Sequence, residues 1–544
     1  MSLEPEIITL LNRRGVRTDE EITEFLSDKP QKTYDPFLLL NMEAGVDLVL
    51  SSIKHGEKIC IYGDYDTDGI TSTSLLLEVL SHLTDKLSYH LPSRFKEGYG
   101  LNCQALKEIR ETGVSLVITV DCGSVSPDEV EYAKKIGLKI LVTDHHTIGD
   151  KISDCLVINP KQPGCPYPFK ELAGVGVAFK LAQAIVSKTN LKKTVVSRTL
   201  DLVGIGTIGD IVPLVDENRT FAKYGLRMTR ITERTGLDAL IRGIGLDKGS
   251  VDSGNVSFGI VPHLNAAGRL ADASIGVELL TCRNREKAEC IVKRLVELNK
   301  KRKELQEETF RVCVERKEKD YPQDNFILIK LEHAHEGITG IVAGKLKDRY
   351  YRPAIIVSPA EEGLYKGTGR SNEGINLYEM LNENASLFER FGGHKAACGF
   401  TIREENIPVL RKALNDTADR IRAEKPEVFI QNIVPDLEPP AESINFHFLE
   451  NIEKLEPFGC ENPKPYIGIK AKAEDIRTMG NRGQYIKFSG AFSKKRFISC
   501  VVFQSVDKFE EKIYSGELMH VTGELGKQEW NGKKYLQLNV RDIR

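Results

Sequence analysis

The residue types best suited to chemistry in this chain follow directly after short apolar runs. They are Asp64, Asp66 and Asp68 after KICIYG, Asp121 after SLVITV, Asp144, His145 and His146 after LKILVT, and Asp210 after the apolar run 202–208. We interpret each run as a parallel strand, and the carboxyl ends of parallel strands meet at one edge of a sheet, where ligands bind. Because clustered carboxylates repel one another, this convergence predicts bound cations.

The ligand types favour two hard cations. Oxygen-rich ligand sets with one or two imidazoles suit Mn²⁺ or Mg²⁺ better than a structural Zn²⁺. The number of carboxylates indicates two ions, and two ions about 3.5–4 Å apart can hold the attacking and leaving oxygens of a phosphodiester. A second histidine beside the ligand histidine would contact a phosphate oxygen and stabilise its charge. The pattern therefore predicts metal-dependent hydrolysis of a phosphodiester.

Other interpretations of these motifs are weaker. A single Asp after a strand is usually a turn residue or a helix N-cap, so the argument depends on four coincident signals. The run 64–69, DYDTDG, begins like a calcium loop, but Leu75 stands where that loop needs a Glu. GIGTIG at 204–209 matches a dinucleotide-binding pattern, yet Asp210 and Pro213 follow it where a helix is needed.

The pattern of elements predicts several domains. Strand and helix patterns alternate from residue 55, which indicates a wound parallel sheet, whereas the last five strand-like runs are typical of a small barrel. The predicted order is an N-terminal helical segment (1–54), a parallel-sheet α/β domain (55–282), a long connecting helix (283–324), a second α/β domain (325–425), a Pro-rich linker (426–465) and a C-terminal β-barrel (466–544).

Composition limits the class of protein. Among the 544 residues, 76 Lys and Arg balance 78 Asp and Glu to a formal net charge of −2. This balance excludes a protein that coats nucleic acid by bulk positive charge, but it allows a local basic groove. The 11 cysteines form no CxxC pair, which predicts reduced thiols in the cytoplasm. No apolar run is long enough to span a membrane, so we expect no membrane partner.

Four motifs carry a family resemblance. They are GDYDTDGITS (63–72), TVDCGS (119–124), TDHHTIGD (143–150) and GTIGDIVPL (206–214). Together they resemble the motifs of the DHH phosphoesterases. NAAGR (265–269), GTGRS (367–371), FGGHKAACGFTI (391–402) and PFGCENP (457–463) add a resemblance to the bacterial-type RecJ single-strand-specific 5′→3′ exonucleases. The resemblance implies a DHH domain, a connecting helix, a DHHA1 domain and an OB-fold, in that order.

The resemblance also implies a ligand set. The implied metal ligands are Asp64, Asp66, Asp68, Asp121, His145 and Asp210. Asp121 would bridge both ions, and His146 would contact the scissile phosphate. Asp201 is the alternative to Asp210, which we prefer because GTIGD matches the fourth motif of the family.

The first motif departs from the pattern of many superfamily members. They carry a His where Tyr62 stands in this chain. This departure leaves the ligand set of one ion open. Asp64 is the substitute ligand that we predict.

Specificity for a 5′ end implies a phosphate pocket. The residues that the resemblance points to are Arg94 in SRFKEGYG, Arg269 in NAAGR, Thr368 and Arg370 in GTGRS, and His394 in FGGH. Guanidinium groups suit phosphate because they bind it bidentately. The Gly-rich GTGRS and FGGH segments, which we predict as loops, would let backbone N–H groups approach an anion closely.

The sequence therefore predicts a cytoplasmic, monomeric exonuclease that uses two Mn²⁺ or Mg²⁺ ions. It would hydrolyse single-stranded DNA 5′→3′ to mononucleotides in DNA repair and recombination. The alternatives are a nuclease of the same superfamily that acts on RNA or short oligonucleotides, and a replication scaffold. Predicted partners are single-stranded DNA and, as further candidates, single-strand-binding and other replication or repair proteins. In the barrel, the basic cluster SKKRF (493–497) and Trp530 are candidates for binding the strand.

Overall fold

The computed structural model describes residues 4–544 apart from 150, 152, 361, 362, 441, 481, 482, 484, 494, 495, 504, 505 and 531. The chain divides into two compact units. The larger unit contains residues 35–210 and 225–431, and the smaller unit contains residues 4–34, 211–224 and 432–544. The bounds of the six segments given above remain predictions.

A parallel sheet forms the first part of the larger unit. Its strands are β1 (Lys58–Tyr62), β2 (Leu87–His90), β3 (Val114–Val120), β4 (Lys139–Thr143) and β5 (Leu156–Ile158). They pair in the order β2-β1-β3-β4-β5, and every pair is parallel. The central strands are continuous runs of buried apolar residues, as expected where helices cover both faces of a sheet. The predicted parallel α/β domain is confirmed.

Seven helices precede, connect or follow these strands along the chain. They are α1 (Pro5–Arg13), α2 (Asp19–Leu26), α3 (Met42–Lys54), α4 (Thr67–Leu80), α5 (Cys103–Glu111), α6 (Pro127–Lys135) and α7 (Gly174–Ser187). α4 and α5 begin at Asp66 and Asn102, whose side chains accept hydrogen bonds from the first free backbone N–H groups. The N-cap of α4 is also the segment that follows β1, so the start of this helix positions the acidic cluster.

Helices alone make up the next part of the chain. They are α8 (Thr194–Ser197), α9 (Leu200–Gly209), α10 (Asp216–Arg230), α11 (Thr235–Gly243), α12 (Ser253–Asn255), α13 (Val261–Leu270) and α14 (Ser274–Thr281). A π-helical turn, Val256–Ile260, joins α12 to α13.

We predicted that a strand ends before Asp210, and this prediction is wrong. Residues 202–208 belong to α9, and Asp210 is the C-cap of that helix. Every residue from 201 to 208 is buried, and Gly204 packs against Gly225 so closely that neither position has room for a side chain. A helix that is buried all round lacks the 3.6-residue apolar period, so its sequence resembles that of a buried strand.

The rest of the larger unit contains the long helix and a second sheet. The helices are α15 (Arg285–Asp320), α16 (Glu336–Tyr350), α17 (Leu377–Asn382) and α18 (Ile407–Glu424), and the strands are β6 (Ile327–Lys330), β7 (Ala354–Pro359), β8 (Leu364–Arg370), β9 (Phe388–His394) and β10 (Ala397–Arg403). The sheet order is β6-β7-β8-β10-β9, with β6 and β7 parallel and the other pairs antiparallel. The predicted connecting helix and second α/β domain are present.

The loops that we predicted for GTGRS and FGGH are wrong. Residues 367–370 end β8, and residues 391–394 end β9. β10 pairs with both strands, so their backbone groups are largely used within the sheet. The glycines of GTGRS serve close packing instead: the Phe400 ring lies directly over Gly367, where a Cβ atom would clash, and Gly369 lies against Ile355 and Leu377.

The smaller unit ends in a closed barrel. Its strands are β11 (Tyr466–Met479), β12 (Tyr485–Ser493), β13 (Arg496–Val502), β14 (Met519–Trp530) and β15 (Lys533–Ile543), preceded by α19 (Phe446–Glu453) and interrupted by α20 (Val506–Tyr514). They close in the order β11-β12-β13-β15-β14, and the predicted C-terminal barrel is confirmed. Lys494, Lys495 and the side chain of Trp530 lie outside the described residues. Across the part of the chain that is described, no helix has both the length and the apolar character needed to cross a membrane.

Candidate metal centre and anion pocket

The carboxylates after β1 are positioned by the start of α4. Asp66 Oδ1 accepts hydrogen bonds from the backbone N–H groups of Asp68 (2.9 Å) and Gly69 (3.2 Å). Gly69 lies so close to the Asp64 backbone that a Cβ atom would clash with it. This tight turn brings the buried Asp64 and Asp68 and the half-buried Asp66 to the same edge of the sheet.

Asp121 follows β3 in a left-handed backbone conformation. Its φ angle is 61°, and such a conformation costs a non-glycine residue about 1–3 kcal/mol and is typical of functional sites. A Cβ atom on Gly174, the first residue of α7, would lie 2.6 Å from the Asp121 carboxylate. The backbone N–H of Asp121 donates to Thr143 O at the end of β4 (3.1 Å). These contacts hold the Asp121 side chain between the ends of β3, β4 and α7.

Asp144 organises the segment after β4. Its carboxylate accepts hydrogen bonds from the Ser124 N–H (2.9 Å), the His145 N–H (2.7 Å) and the His146 ring Nδ1 (2.8 Å). Burial acts to raise the pKa of Asp144, but the hydrogen bond and charge of His146 outweigh it and hold the pKa below its ordinary value. The Tyr99 hydroxyl lies 3.0 Å from His146 Nδ1. Asp144 and Tyr99 together therefore orient the His146 ring.

All six predicted ligands meet in one cluster. His145 Nε2 lies 3.1 Å from Asp121 Oδ1, 3.5 Å from Asp210 Oδ2 and 4.0 Å from Asp68 Oδ2. Side chains whose ligand atoms lie within 4.8 Å of one another form three overlapping groups: Asp64, Asp66 and Asp121; Asp68, His145 and Asp210; and Asp121, Asp144, His145 and His146. Asp121 and His145 each belong to two of these groups, so the groups form one continuous cluster.

The cluster contains polar atoms that the protein does not satisfy. Asp64 Oδ1, Asp121 Oδ1 and His145 Nε2 are buried and make no hydrogen bond within the described residues, because the 3.1 Å contact between the last two atoms lacks the angles of a hydrogen bond. An unsatisfied buried polar atom costs about 1–3 kcal/mol and is rare in folded proteins. Burial, followed by the charges of neighbouring carboxylates, raises the pKa values of Asp64, Asp121 and Asp210 well above their ordinary range. A divalent cation would satisfy these atoms and remove the repulsion, so the donor set fits such an ion.

The two adjacent histidines differ in their affinity for a proton. Burial lowers the pKa of His145 to about 3, and the positive charge of His146 acts in the same direction. A neutral imidazole is the form that binds a metal ion. Burial also acts to lower the pKa of His146, but its hydrogen bond to Asp144 outweighs this and the pKa lies above its ordinary value.

Asp68 is shared between the cluster and α7. Its Oδ2 accepts a hydrogen bond from the Gly174 N–H (2.7 Å) and its Oδ1 accepts one from the Val175 N–H (2.8 Å). Burial, followed by the charge of Asp66, raises the pKa of Asp68 to about 7 in spite of these bonds. The N-terminus of α7 therefore fixes one edge of the cluster.

Asp201, the alternative to Asp210, lies in a different network. Arg234 Nε lies 3.1 Å from Asp201 Oδ2, and Thr232 Oγ1 donates to the same oxygen (2.8 Å). Arg234 also pairs with Glu78, with its Nη1 2.6 Å from Oε2. The structure thus places Asp210 in the cluster and Asp201 in a buried ion pair.

We expect Asp201→Asn to lower stability and to leave the cluster intact. Asp201 is 2% exposed, and removing one partner of a buried ion pair costs about 3–5 kcal/mol. Thermal unfolding of the purified variant should show a lower Tm, whereas hydrolysis at a temperature well below that Tm should stay within about twofold of the parent. An unchanged Tm would contradict the structural role of Asp201.

Tyr62 does not reach the cluster. Its side chain is fully buried, and its hydroxyl donates to Gly100 O (3.1 Å). Its ring packs against His90 with 4.9 Å between the ring centroids. Burial raises the pKa of Tyr62 above its ordinary value, so the phenol stays neutral. Tyr62 therefore has a packing role in this chain.

Three arginines from separate segments form a second cluster. Burial, followed by the charge of Arg94, lowers the pKa of Arg269 to about 10, and the charge of Arg370 acts in the same direction. Burial also lowers the pKa of Arg370. Arg94 stacks on the Tyr65 ring (3.9 Å), and its buried Nε makes no hydrogen bond among the described residues. Within those residues no carboxylate forms an ion pair with any of the three, so together they suit a multiply charged anion.

The start of α16 completes this pocket. Arg269 Nη1 donates to Gly337 O (3.1 Å), and a Cβ atom on Gly340 would lie 3.1 Å from both Arg370 Nη2 and Thr368 Cγ2. The positive end of the α16 dipole therefore adds to the guanidinium charges. We refer to Arg94, Arg269, Thr368 and Arg370, with this helix end, as the anion pocket.

His394 is exposed at the end of β9 and stands apart from the pocket. Ala397 on β10 pairs with His394 on one side and with Arg370 on the other. Two strand spacings of about 4.8 Å therefore separate the backbones of Arg370 and His394. The structure brings the other predicted pocket residues together and leaves His394 at the rim of the sheet.

Two functional contacts were missed by the sequence reasoning. Tyr99 contacts His146, and Asn265 Oδ1 accepts hydrogen bonds from the backbone N–H (2.7 Å) and Oγ1 (2.9 Å) of Thr67, inside the acidic turn. Both lie in segments that we had noted only for an arginine, SRFKEGYG and NAAGR. In the sequence, the signal that could have identified Tyr99 and Asn265 was their position in the same motifs as those arginines.

Comparison with known proteins assigns the class to which this fold and site belong. Models of the DHH family N-terminal domain, the DHHA1 domain and the RecJ OB domain match residues 58–207, 323–419 and 435–542. The parallel sheet with its acidic edge, the second sheet and the barrel therefore correspond to three recognised domains. They define a DHH-family protein.

Full-length relatives narrow this class. The chain is 40% identical to the single-stranded-DNA-specific exonuclease RecJ of Bacillus subtilis, covering 100% of this chain and 68% of that protein. It is 31% identical to RecJ of Salmonella typhimurium, covering 88% of this chain and 86% of that one. A crystal structure of RecJ in complex with Mn²⁺ from Thermus thermophilus superposes with a TM-score of 0.84 at 27% identity, covering 100% of this chain and 76% of that chain. The chain belongs to the RecJ family.

Proposed function

We propose that this protein is a metal-dependent exonuclease that hydrolyses single-stranded DNA from its 5′ end and releases mononucleotides. The observation that carries the proposal is the buried cluster of carboxylates and a neutral imidazole with unsatisfied ligand atoms, beside a pocket of three arginines that form no ion pair with any described carboxylate. The relatives named single-stranded-DNA-specific exonucleases support the choice of substrate. DNA repair and recombination are the processes that we propose for it.

We propose two ion sites that share Asp121. Asp64, Asp66 and Asp121 would hold one ion, and Asp68, His145 and Asp210 the other, with Asp121 also 3.1 Å from His145 Nε2. Hard oxygen donors with one imidazole favour Mn²⁺ or Mg²⁺, and the related Thermus protein was crystallised with Mn²⁺. When bound, the ions supply the positive charge that activates water and stabilises the attacking and leaving oxygens.

His146 is the residue that we propose to contact the scissile phosphate. Asp144 accepts a hydrogen bond from its Nδ1, and the Tyr99 hydroxyl lies against the same ring. These two contacts fix the ring without a change of rotamer during the reaction, which favours electrostatic stabilisation of a developing charge. His146 is half-buried beside Asp121, so a phosphate at the cluster lies within its reach.

In this proposal, the anion pocket determines that hydrolysis begins at the 5′ end of the strand. A 5′-phosphate carries more negative charge than an internal phosphodiester, and three guanidinium groups that pair with no carboxylate of the described residues favour the more highly charged group. Arg94, Arg269 and Arg370, with Thr368, would hold that phosphate while the next phosphodiester lies at the ions. His394, at the rim, would contact the strand less directly.

The proposed partner is single-stranded DNA. Single-strand-binding and other replication or repair proteins remain predicted partners, and we expect a monomer that acts in the cytoplasm.

A substrate and metal panel tests the proposed function. Chelation with EDTA should abolish hydrolysis, and added Mn²⁺ or Mg²⁺ should restore it, because the charge of the ions is required for both the attacking and the leaving oxygen. The measurement is mononucleotide release from 5′-labelled single-stranded DNA, duplex DNA, RNA and dinucleotides of matched sequence. Equal or faster release from RNA or dinucleotides would favour the alternative nuclease, and metal-independent or absent turnover would overturn the proposal.

A further inference from the structure

Phe258 exposes 85% of its surface, more than any other large apolar side chain in the described part of the chain. It lies in the π-helical turn Val256–Ile260 and makes no ring contact with another described residue. Single exposed apolar side chains are common and need no explanation by themselves. The position of Phe258 relative to the site is what distinguishes it.

Phe258 shares a helical segment with two residues of the site. Asn265 and Arg269 follow it by seven and eleven residues, about two and three helical turns, so the three side chains lie on the same side of the segment, with Phe258 displaced by the wider π-helical turn. Asn265 hydrogen-bonds Thr67 in the acidic turn after β1, and Arg269 belongs to the anion pocket. The segment therefore carries the anion pocket at one end, the metal cluster beside its middle and Phe258 at the other end.

This order matches the path of a strand through the site. A strand whose 5′-phosphate lies in the anion pocket and whose scissile phosphate lies at the metal cluster continues in the direction of Phe258. Eleven residues at about 1.5 Å per residue separate Arg269 and Phe258 by about 16 Å along the helix axis. At about 3.4 Å per nucleotide in a stacked strand, and more in an extended one, no more than about five nucleotides cover that distance.

We propose that Phe258 is a stacking platform for a nucleobase on the 3′ side of the scissile phosphate. The inference rests on the proposed function for the direction of the strand. Every base has a π face, so an aromatic platform binds single strands without selecting sequence, which suits an exonuclease that must accept every sequence in turn.

The backbone beneath Phe258 is held in place. His263 Nδ1 donates to Gly259 O (2.6 Å), and His263 Nε2 accepts from Asn299 Nδ2 on α15 (3.0 Å). The π-helical turn is therefore tied both to α13 and to the long helix. π-Helical turns are frequent at functional sites. The ring is thus presented to solvent from a fixed backbone.

A length series tests the platform by kinetics. For Phe258→Ala, we expect KM on 5′-phosphorylated dT₁₂ to rise by about 5- to 150-fold, the range for loss of one stacked base, while KM on the 5′-phosphorylated dinucleotide stays within about twofold. Phe258→Tyr should restore the parent KM, because its ring also stacks. Equal changes on both substrates, or no change on dT₁₂, would overturn the inference.

A binding experiment without turnover separates this inference from the proposed function. The chain has one Trp, Trp530, so Phe258→Trp in a Trp530→Phe background reports on position 258 alone. In EDTA, dT₁₂ should quench the fluorescence of the tryptophan at position 258. Anisotropy of labelled dT₁₂ verifies that the strand is bound at the concentrations used. The matched control is Ile231→Trp in the same background, at an exposed position (63%) in the turn directly after α10, where we expect no quenching. Equal quenching at both positions, or none at 258, would show that Phe258 is not a platform.

Discussion

Asp121→Asn should reduce hydrolysis of single-stranded DNA by about 10³-fold or more. The carboxylate lies within reach of both proposed ion sites, so its loss weakens both. Each 1.36 kcal/mol lost from transition-state stabilisation is tenfold in rate, and metal ions contribute several kcal/mol of charge stabilisation. The measurement is kcat/KM for a 5′-phosphorylated oligonucleotide in saturating Mn²⁺. Isothermal titration should also show weaker Mn²⁺ binding.

The same variant should fold as well as the parent. Asp121 is buried among carboxylates that repel it. Asn has nearly the same shape as Asp, so it fits the tight contact with Gly174. The metal-free Tm should therefore be unchanged or higher. Asp201→Asn is the matched control, since it removes an equally buried carboxylate from the structural network of Arg234. Full activity in Asp121→Asn, or an activity loss in Asp201→Asn as large as that in Asp121→Asn, would refute the assignment of the cluster as the catalytic centre.

Arg370→Gln should raise KM by about 10- to 100-fold for strands with a 5′-phosphate. A hydrogen bond to a charged group contributes about 1.5–3 kcal/mol, and burial of Arg370 makes such a bond stronger than at the surface. The kcat value should change little, because the guanidinium holds the end of the strand and not the scissile bond. Matched substrates with a 5′-hydroxyl should show little change in KM.

Arg403→Gln is the control for this experiment. Arg403 lies on the same sheet, where its Nε pairs with Glu389 Oε1 at 2.7 Å on the exposed surface. Exposed ion pairs contribute little, so both substrates should keep their parent KM. If Arg370→Gln affects phosphorylated and hydroxyl-ended strands equally, the anion pocket does not bind the 5′ end.

Much of the fold is encoded in patterns of short range. The apolar runs before Asp64, Asp121 and Asp144 predicted β1, β3 and β4, because a buried parallel strand needs only a few consecutive apolar residues and a turn after them. The long helix was predicted from a run without Gly or Pro, and the barrel from five short strand-like runs. GTGRS and FGGH were mispredicted because glycines within strands, such as Gly367 beneath the Phe400 ring, have the same sequence signature as glycines in a loop.

The sequence by itself determined which residues could bind cations and that three of the segments carrying them follow strands of one sheet. Only the tertiary structure decided between Asp210 and Asp201, since Asp201 meets Arg234, a residue 33 positions away, by the packing of helices. It also decided the place of Tyr99, Asn265 and Phe258. Their contacts or exposure depend on how distant segments pack, and periodicity describes only the neighbours of a residue along its own helix or strand. Local pattern therefore predicted the chemistry of the site, and packing between helices decided which side chains complete it.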